Sequence, residues 1–201
     1  MFIGFTGLDG AGKSTQSAKL SQFLRSLDRQ CYVSESKDDL VAQTSQAIAK
    51  KYGKTHRSYF GAYAFELSKA FSSVRFHFSV IQPMLIQGID IIDPRTNNCR
   101  LQLARSHGCE NIDKVSEIYN LIQPYDLLFF IKIDPLIAYE RINKRGTDCE
   151  VLEELISFNN QLEEKTPDFA IAIDGNQEAD IIFDNIRERV LDAIAIQDKR
   201  V

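Results

Sequence analysis

No apolar run in this 201-residue sequence approaches the roughly 20 residues that a membrane-spanning helix needs. A basic excess is missing too. Lys and Arg number 24 against 28 Asp and Glu, a formal net charge of -4. That balance argues against a general binder of nucleic acid or of membrane surfaces, and still allows a local basic pocket. Cysteine is sparse. Cys31, Cys99, Cys109 and Cys149 are scattered, and Cys99, His107 and Cys109 lack the spacing of a zinc site. Reduced thiols and a cytoplasmic location are therefore expected. No repeat or low-complexity tract is present. The sequence enters an apolar strand pattern at once, with no basic region and no cleavage site, so no secretory signal is expected. What remains is 44% hydrophobic and 26% charged, a soluble globular balance, at a length for which one domain over 1–201 is the default.

Against that background one stretch stands out. Gly7-Leu8-Asp9-Gly10-Ala11-Gly12-Lys13-Ser14 fits the phosphate-loop pattern G-x-x-x-x-G-K-[ST] at every fixed position. The apolar Phe2-Ile3-Gly4-Phe5-Thr6 before it reads as a buried strand. Ala18, Leu20, Phe23, Leu24 and Leu27 after it recur at helical spacing. Glycines let such a loop turn successive N–H groups inward, and the first helical turn adds its own unpaired N–H groups and dipole. Lys13 can reach the outer phosphates of a nucleotide, and the Ser14 hydroxyl can hold magnesium.

The rest of the chain alternates strands with helices. Residues 30–34 read as a second strand that ends at Glu35 and Lys37, candidate pocket residues because ligands in such sheets bind beyond strand C-termini. Residues 40–87 are mostly helical by pattern, with a weak break at 52–55 and many aromatics. Ile89-Asp90-Ile91-Ile92-Asp93 reads as a buried strand closing on a carboxylate, so Asp93 is a candidate for the magnesium shell and Arg95 for a phosphate clamp. Residues 96–110 have a loop-like composition, and His107 reads as a surface histidine. A helix is expected over 112–122, the strongest strand over 126–133, and a helix opened by Asp134-Pro135 that carries Arg141, Lys144 and Arg145 on one face. Those cations read either as a solvated face or as the start of a lid at about 141–152. A further helix over 150–164, a strand over 169–174 and a final helix over 179–196 complete the order. Five strands alternating with helices predict a three-layer α/β/α fold around a five-stranded parallel sheet.

With these pieces placed, the chain resembles the thymidylate kinase family of P-loop nucleoside monophosphate kinases nearly end to end. The resemblance is carried by Phe5 to Thr15, by Ile81-Gln82-Pro83-Met84-Leu85-Ile86-Gln87-Gly88, and by Pro124-Tyr125-Asp126-Leu127. Arg141-Ile142-Asn143-Lys144-Arg145-Gly146 and Ile173-Asp174-Gly175 extend it. It implies ATP and Mg2+ as cofactors, transfer of the ATP γ-phosphoryl group to dTMP, nucleotide partners and a homodimer. It further implies that Gly7, Asp9, Gly10, Ala11, Gly12, Lys13, Ser14 and Thr15 hold ATP and metal, and that Asp9 faces the acceptor sugar. Arg95 would bind the acceptor phosphate, and Arg141 or Arg145 would supply the lid arginine. Glu35, Phe65, Lys69, Gln102 and Arg105 complete the implied acceptor site.

The acceptor half departs from the family pattern. Of the E-P-G-G loop only Glu35 is kept, and the F-A-x-x-R arginine is Lys69. Pro94 separates Asp93 from Arg95 in place of D-R-Y, and Y-Q-G is loosely matched by Gln102 and Arg105. Three functions stay open on sequence: a dTMP kinase, a kinase for another nucleotide, nucleoside or small metabolite, and an ATP-binding regulatory module without transfer.

Overall fold

The computed structural model describes residues 1–34, 40–146 and 150–199. Five strands form one parallel sheet: β1 (Phe2–Gly7), β2 (Cys31–Val33), β3 (Asp90–Asp93), β4 (Leu127–Lys132) and β5 (Ile171–Asp174). Their spatial order is β2-β3-β1-β4-β5, with β1 central and paired to β3 at Gly4↔Asp93 and to β4 at Gly7↔Ile131. Strand residues alternate between faces, and the packing follows. Ile3, Phe5 and Ile92 join the largest apolar cluster, whereas Phe2 and Ile91 join another, and all five are buried. Both faces are therefore covered, the condition under which a parallel sheet is stable. The α/β fold expected from the alternating pattern is the one observed.

The helices are α1 (Lys13–Ser26), α2 (Leu40–Lys50), α3 (His56–Phe60), α4 (Ala62–Phe76), α5 (Gln82–Ile86), α6 (Asn97–Ser106), α7 (Ile112–Tyr119), α8 (Pro135–Arg145), α9 (Leu152–Lys165) and α10 (Ala179–Asp198). Leu20 and Leu24 of α1 are fully buried against the sheet, as their spacing predicts. Between α4 and α5 the backbone widens into a π-helical turn, His77–Ile81, a feature that re-aims side chains and recurs at functional sites.

One expectation is overturned. Residues 96–110 contain a helix, α6, rather than a loop. Asn97, Asn98 and Cys99 are weak helix formers, but Thr96 caps the helix by accepting a hydrogen bond from the Cys99 N–H (3.3 Å). Cys99, Leu101 and Ala104 are then buried, with α6 packed on α9 and Leu101 clustered with Ala70, Val115 and Tyr119 of α4 and α7. Tertiary packing outweighs local propensity here.

At the foot of the sheet, the Met1 ammonium donates to Asp90 Oδ1 (2.7 Å) and Arg29 Nε to Asp90 Oδ2 (2.6 Å), with the Asp90 side chain 1% exposed. Asp126 Oδ2 accepts from the Phe2 N–H (2.7 Å), across 124 residues of sequence.

Candidate active site

The phosphate loop joins β1 to α1, and its conformation needs glycine. Gly10 has φ 84°, and a Cβ there would sit 2.6 Å from the Ala138 carbonyl oxygen of α8. Gly12 caps α1 in the left-handed conformation, φ 92°, ψ 10°. Gly10 to Gln16 line a cavity of about 510 Å³ together with Asp9, Pro94, Arg95, Arg141, Arg145 and the start of α10. Four of the lining side chains are cations, Lys13, Arg95, Arg141 and Arg145, against the carboxylates Asp9 and Glu178.

Lys13 is 6% exposed. Its ammonium donates to the carbonyl oxygens of Gly7 (2.8 Å) and Leu8 (2.7 Å), and Asp9 Oδ1 lies 3.6 Å away. Burial pulls the Lys13 pKa below its ordinary value, with the Asp9 charge opposing. Arg95 Nη2 donates to Asp9 Oδ1. Burial would raise the Asp9 carboxyl, but the charges of Lys13 and Arg95 outweigh it and hold the carboxyl below its usual range. One carboxylate thus sits between two cations at the mouth of the loop, where an incoming phosphate would compete for them. Cys99 Sγ is 3.6 Å from the Gly7 carbonyl oxygen, beneath the loop. Arg141 Nη1 donates to the Gly175 carbonyl oxygen (3.0 Å), which ties α8 to the end of β5.

Magnesium usually takes one or two protein oxygens and completes its shell with water and substrate phosphates. Ser14 is exposed and lines the loop cavity. Among the described residues no group of three His, Cys, Asp or Glu could hold a metal. The Ser14 hydroxyl, with Thr15 beside it, lines the phosphate cavity and fits a magnesium ion that arrives with its nucleotide.

Asp93, the other residue expected at the metal, is placed elsewhere. Its Oδ2 accepts from Tyr125 Oη (2.7 Å) and its Oδ1 from the Arg95 N–H (3.2 Å). Burial raises its carboxyl above the ordinary value, and burial likewise pushes the Tyr125 phenol up. Asp93 lines a second, smaller cavity of about 100 Å³ with Ser73, His77, Arg100 and Tyr125. The structure therefore puts Ser14 and Asp93 in different cavities.

The remaining acceptor candidates are also dispersed. Phe65 is 4% exposed, and its ring lies against His56 with centroids 4.1 Å apart, flanked by Arg57 and Lys69. Lys69 Nζ bonds Glu66 Oε2 at 3.4 Å, and Arg57 bonds Glu66 Oε1 at 3.0 Å. Gln102 is 2% exposed, donating to Asn98 Oδ1 (2.8 Å) and accepting from Arg105 (3.0 Å). None of Phe65, Lys69, Gln102 or Arg105 lines either cavity. Glu35 lies outside the described residues, as do 147–149 of the expected lid.

Sequence reasoning missed Gln177 and Glu178, which line the loop cavity. Their place just past the end of β5 was the available signal, because open α/β sheets bind ligands there. It also did not single out His77 and Ser73, which line the second cavity and carry no local motif.

The thymidylate kinase family model matches residues 5–186. The chain belongs to the thymidylate kinase family. The thymidylate kinase of Thermosipho africanus is 28% identical over 200 residues, spanning 94% of this chain and 97% of that protein. A probable thymidylate kinase of Staphylothermus marinus is 26% identical over 195 residues, spanning 95% and 94%. Among solved structures, a deoxyadenosine kinase from M. mycoides, with products dCMP and a flexible dCDP bound, superposes with a TM-score of 0.68. It shares 17% identity and covers 96% of this chain and all of its own, which establishes likeness of fold. As a thymidylate kinase family member the chain is an ATP-dependent phosphotransferase, and the family implies nucleotide substrates.

Proposed function

We propose that this phosphotransferase moves the γ-phosphoryl group of ATP to dTMP, giving dTDP and ADP. The observation that carries the reading is the loop cavity, where Lys13, Arg95, Arg141 and Arg145 converge on a glycine-rich anion cradle. In this reading Lys13 exchanges its loop carbonyls for the outer phosphates of ATP. Arg95 exchanges Asp9 for the acceptor phosphate, which a guanidinium can grip with two parallel hydrogen bonds. Arg141 and Arg145 neutralise charge on the transferring group, and loss of such an arginine costs on the order of 10³ in rate. Magnesium bound by Ser14 and the nucleotide would supply further charge neutralisation. Arrangement of the reactants and charge complementarity account for the catalysis. Membership of the family also supports a cytoplasmic homodimer, which sedimentation velocity would test.

The test is ADP production across a panel of monophosphates and free nucleosides, with Lys13→Ala as the blank. Turnover with dTMP well above the others is expected. Arg95→Ala should raise the acceptor KM with little change in ATP binding, and unchanged acceptor kinetics would refute the role. A second reading, a kinase for a different acceptor, is favoured by one observation: Phe65, at the family's acceptor helix, has its ring against His56. Turnover confined to another acceptor would establish it.

A further inference from the structure

The formal charge of -4 conceals a basic segment. Within residues 40–65 lie Lys50, Lys51, Lys54 and Arg57, and not one of the 28 acids. Arg57 turns inward to the buried Glu66 of α4 (3.0 Å). Lys50, Lys51 and Lys54, at the tip between α2 and α3, are exposed, and none of them forms an ion pair among the described residues. Aromatic rings are set among these lysines. Tyr52 and Tyr59 stack with centroids 5.0 Å apart and planes at 18°. Phe60 meets Tyr59 edge-on at 4.9 Å, and Lys54 Nζ lies 5.8 Å from the Tyr59 centroid. All three rings are exposed, Tyr52 by 62%. Tyr59 covers one face of Tyr52, and the other face is the open end of the stack.

The backbone fixes where these rings sit. α2 closes on a left-handed glycine, Gly53 at φ 65°. The Gly53 N–H donates to the Lys50 carbonyl oxygen and the Lys54 N–H to that of Ala49, both at 3.1 Å, the paired hydrogen bonds of a glycine helix stop. Thr55 then opens α3 with a reciprocal cap to Ser58. His56 anchors α3 by packing its ring on Phe65 of α4, centroids 4.1 Å apart. With a stop and a start signal in immediate succession, the platform is formed before a ligand arrives, which lowers the cost of ordering it on binding.

An exposed patch of this kind suits one class of ligand. Small molecules are held in concave pockets. Lipid surfaces are met by an apolar helix face that enters the acyl boundary, whereas Tyr52, Tyr59 and Phe60 lie against one another. Aromatic faces interleaved with lysines hold single-stranded nucleic acid, whose bases stack and whose phosphates meet the cations. We infer that the α2–α3 tip binds single-stranded nucleic acid, with Tyr52 as the stacking platform and Lys50, Lys51 and Lys54 as phosphate contacts. A base laid on the open face of Tyr52 continues the Tyr59–Tyr52 stack, and the lysines on either side of it in sequence take the flanking phosphates. None of residues 50–60 lines either cavity, so the strand and the nucleotide substrates do not compete.

The test is fluorescence anisotropy of a labelled cytosine oligonucleotide of about 12 nucleotides without terminal phosphates, a length that one such surface accommodates. It is run on the full chain with saturating ATP and magnesium, which keep the strand out of the phosphate loop. Wild type should bind, with log K falling against log salt at a slope of roughly -2, the value for about three phosphates on a single strand. Tyr52→Leu should weaken binding roughly 10- to 100-fold, the range for losing one stacked base, whereas Tyr52→Phe should stay within about two-fold. Replacing Lys50, Lys51 and Lys54 together by Gln should flatten the slope towards zero. Every variant should keep the ATP affinity and melting temperature of wild type, which separates lost binding from lost fold. No binding by wild type, or equal binding by Tyr52→Leu, would overturn the inference. Two other outcomes would also overturn it by giving the tip another occupant. One is capture of the chain by anionic lipid vesicles that Tyr52→Leu retains, with no oligonucleotide bound. The other is a dimer in sedimentation velocity that the lysine variant dissociates, again with no oligonucleotide bound.

Discussion

Asp9→Asn should make the protein less stable alone and a tighter binder of ATP. Asp9 Oδ1 accepts from Arg95 and lies 3.6 Å from Lys13 Nζ. At about 4 Å and an effective dielectric near 20, one such pair is worth roughly 4 kcal/mol before desolvation. The Asp9 side chain is 27% exposed and that of Arg95 31%, so water screens much of this, and a net loss of about 2 kcal/mol is expected on neutralising the carboxylate. In the variant Lys13 keeps the Gly7 and Leu8 carbonyls as acceptors. The two cations then repel each other until a polyphosphate replaces the lost charge. Ligand-linked stability follows RT ln(1 + [L]/Kd), so recovery of about 2 kcal/mol corresponds to roughly 30-fold tighter binding. Urea melts with and without ATP and magnesium measure both halves. The variant midpoint should fall without ligand and rise further than wild type with it, and the difference should shrink at 1 M salt. Equal midpoints without ligand, or weaker ATP binding, would refute the reasoning. Transfer to the acceptor should nonetheless fall, since without Asp9 the Arg95 side chain is no longer held at the loop before the acceptor phosphate arrives.

Asp90→Asn should cost about 3 kcal/mol in chemical denaturation, because it leaves the buried Met1 ammonium and Arg29 without their carboxylate. Burial would raise the Asp90 carboxyl, but hydrogen bonds from Arg29 and Met1 outweigh it and hold the carboxyl below its usual range. A depressed carboxyl stabilises above its unfolded pKa and loses that contribution as pH falls through the folded value. Wild type should therefore lose an increment of stability below about pH 4 that the variant lacks, read from denaturation midpoints between pH 3 and 7. Gly10→Ala would drive a Cβ to 2.6 Å from the Ala138 carbonyl oxygen at φ 84°. The left-handed backbone alone costs about 1–2 kcal/mol, so a lower melting temperature together with at least tenfold weaker ATP binding is expected.

The phosphate loop was legible because its constraints are local. Two glycines, a lysine and a hydroxyl residue within eight positions dictate both conformation and chemistry. The five strands were legible for a related reason: β4 is continuously apolar from Leu127 to Ile131, as double burial requires. Helix α6 was not legible, since Asn97 and Asn98 argue against a helix and the elements it packs on, α7 and α9, are set by the tertiary fold. The acceptor half was the least legible. Family position suggested Phe65, Lys69 and Gln102, whereas His56, Glu66 and Arg105 engage those side chains from other turns of the chain. Arg100, Ser73 and His77 meet in one cavity through tertiary packing that no spacing encodes.

The order of the sheet has a consequence for how the protein is made. β1 leaves the ribosome early, yet its neighbours β3 and β4 follow far behind, and Phe2 meets Asp126 across 124 residues. At roughly 5–20 residues per second of synthesis, the central strand waits about 6–25 s for its second partner. During that interval Phe2, Ile3 and Phe5 are uncovered, and the loop that cradles phosphate has no floor. A chain stalled before Leu127 would therefore be an apolar template and a client for chaperones, whereas one stalled after Lys132 would already hold its central three strands together.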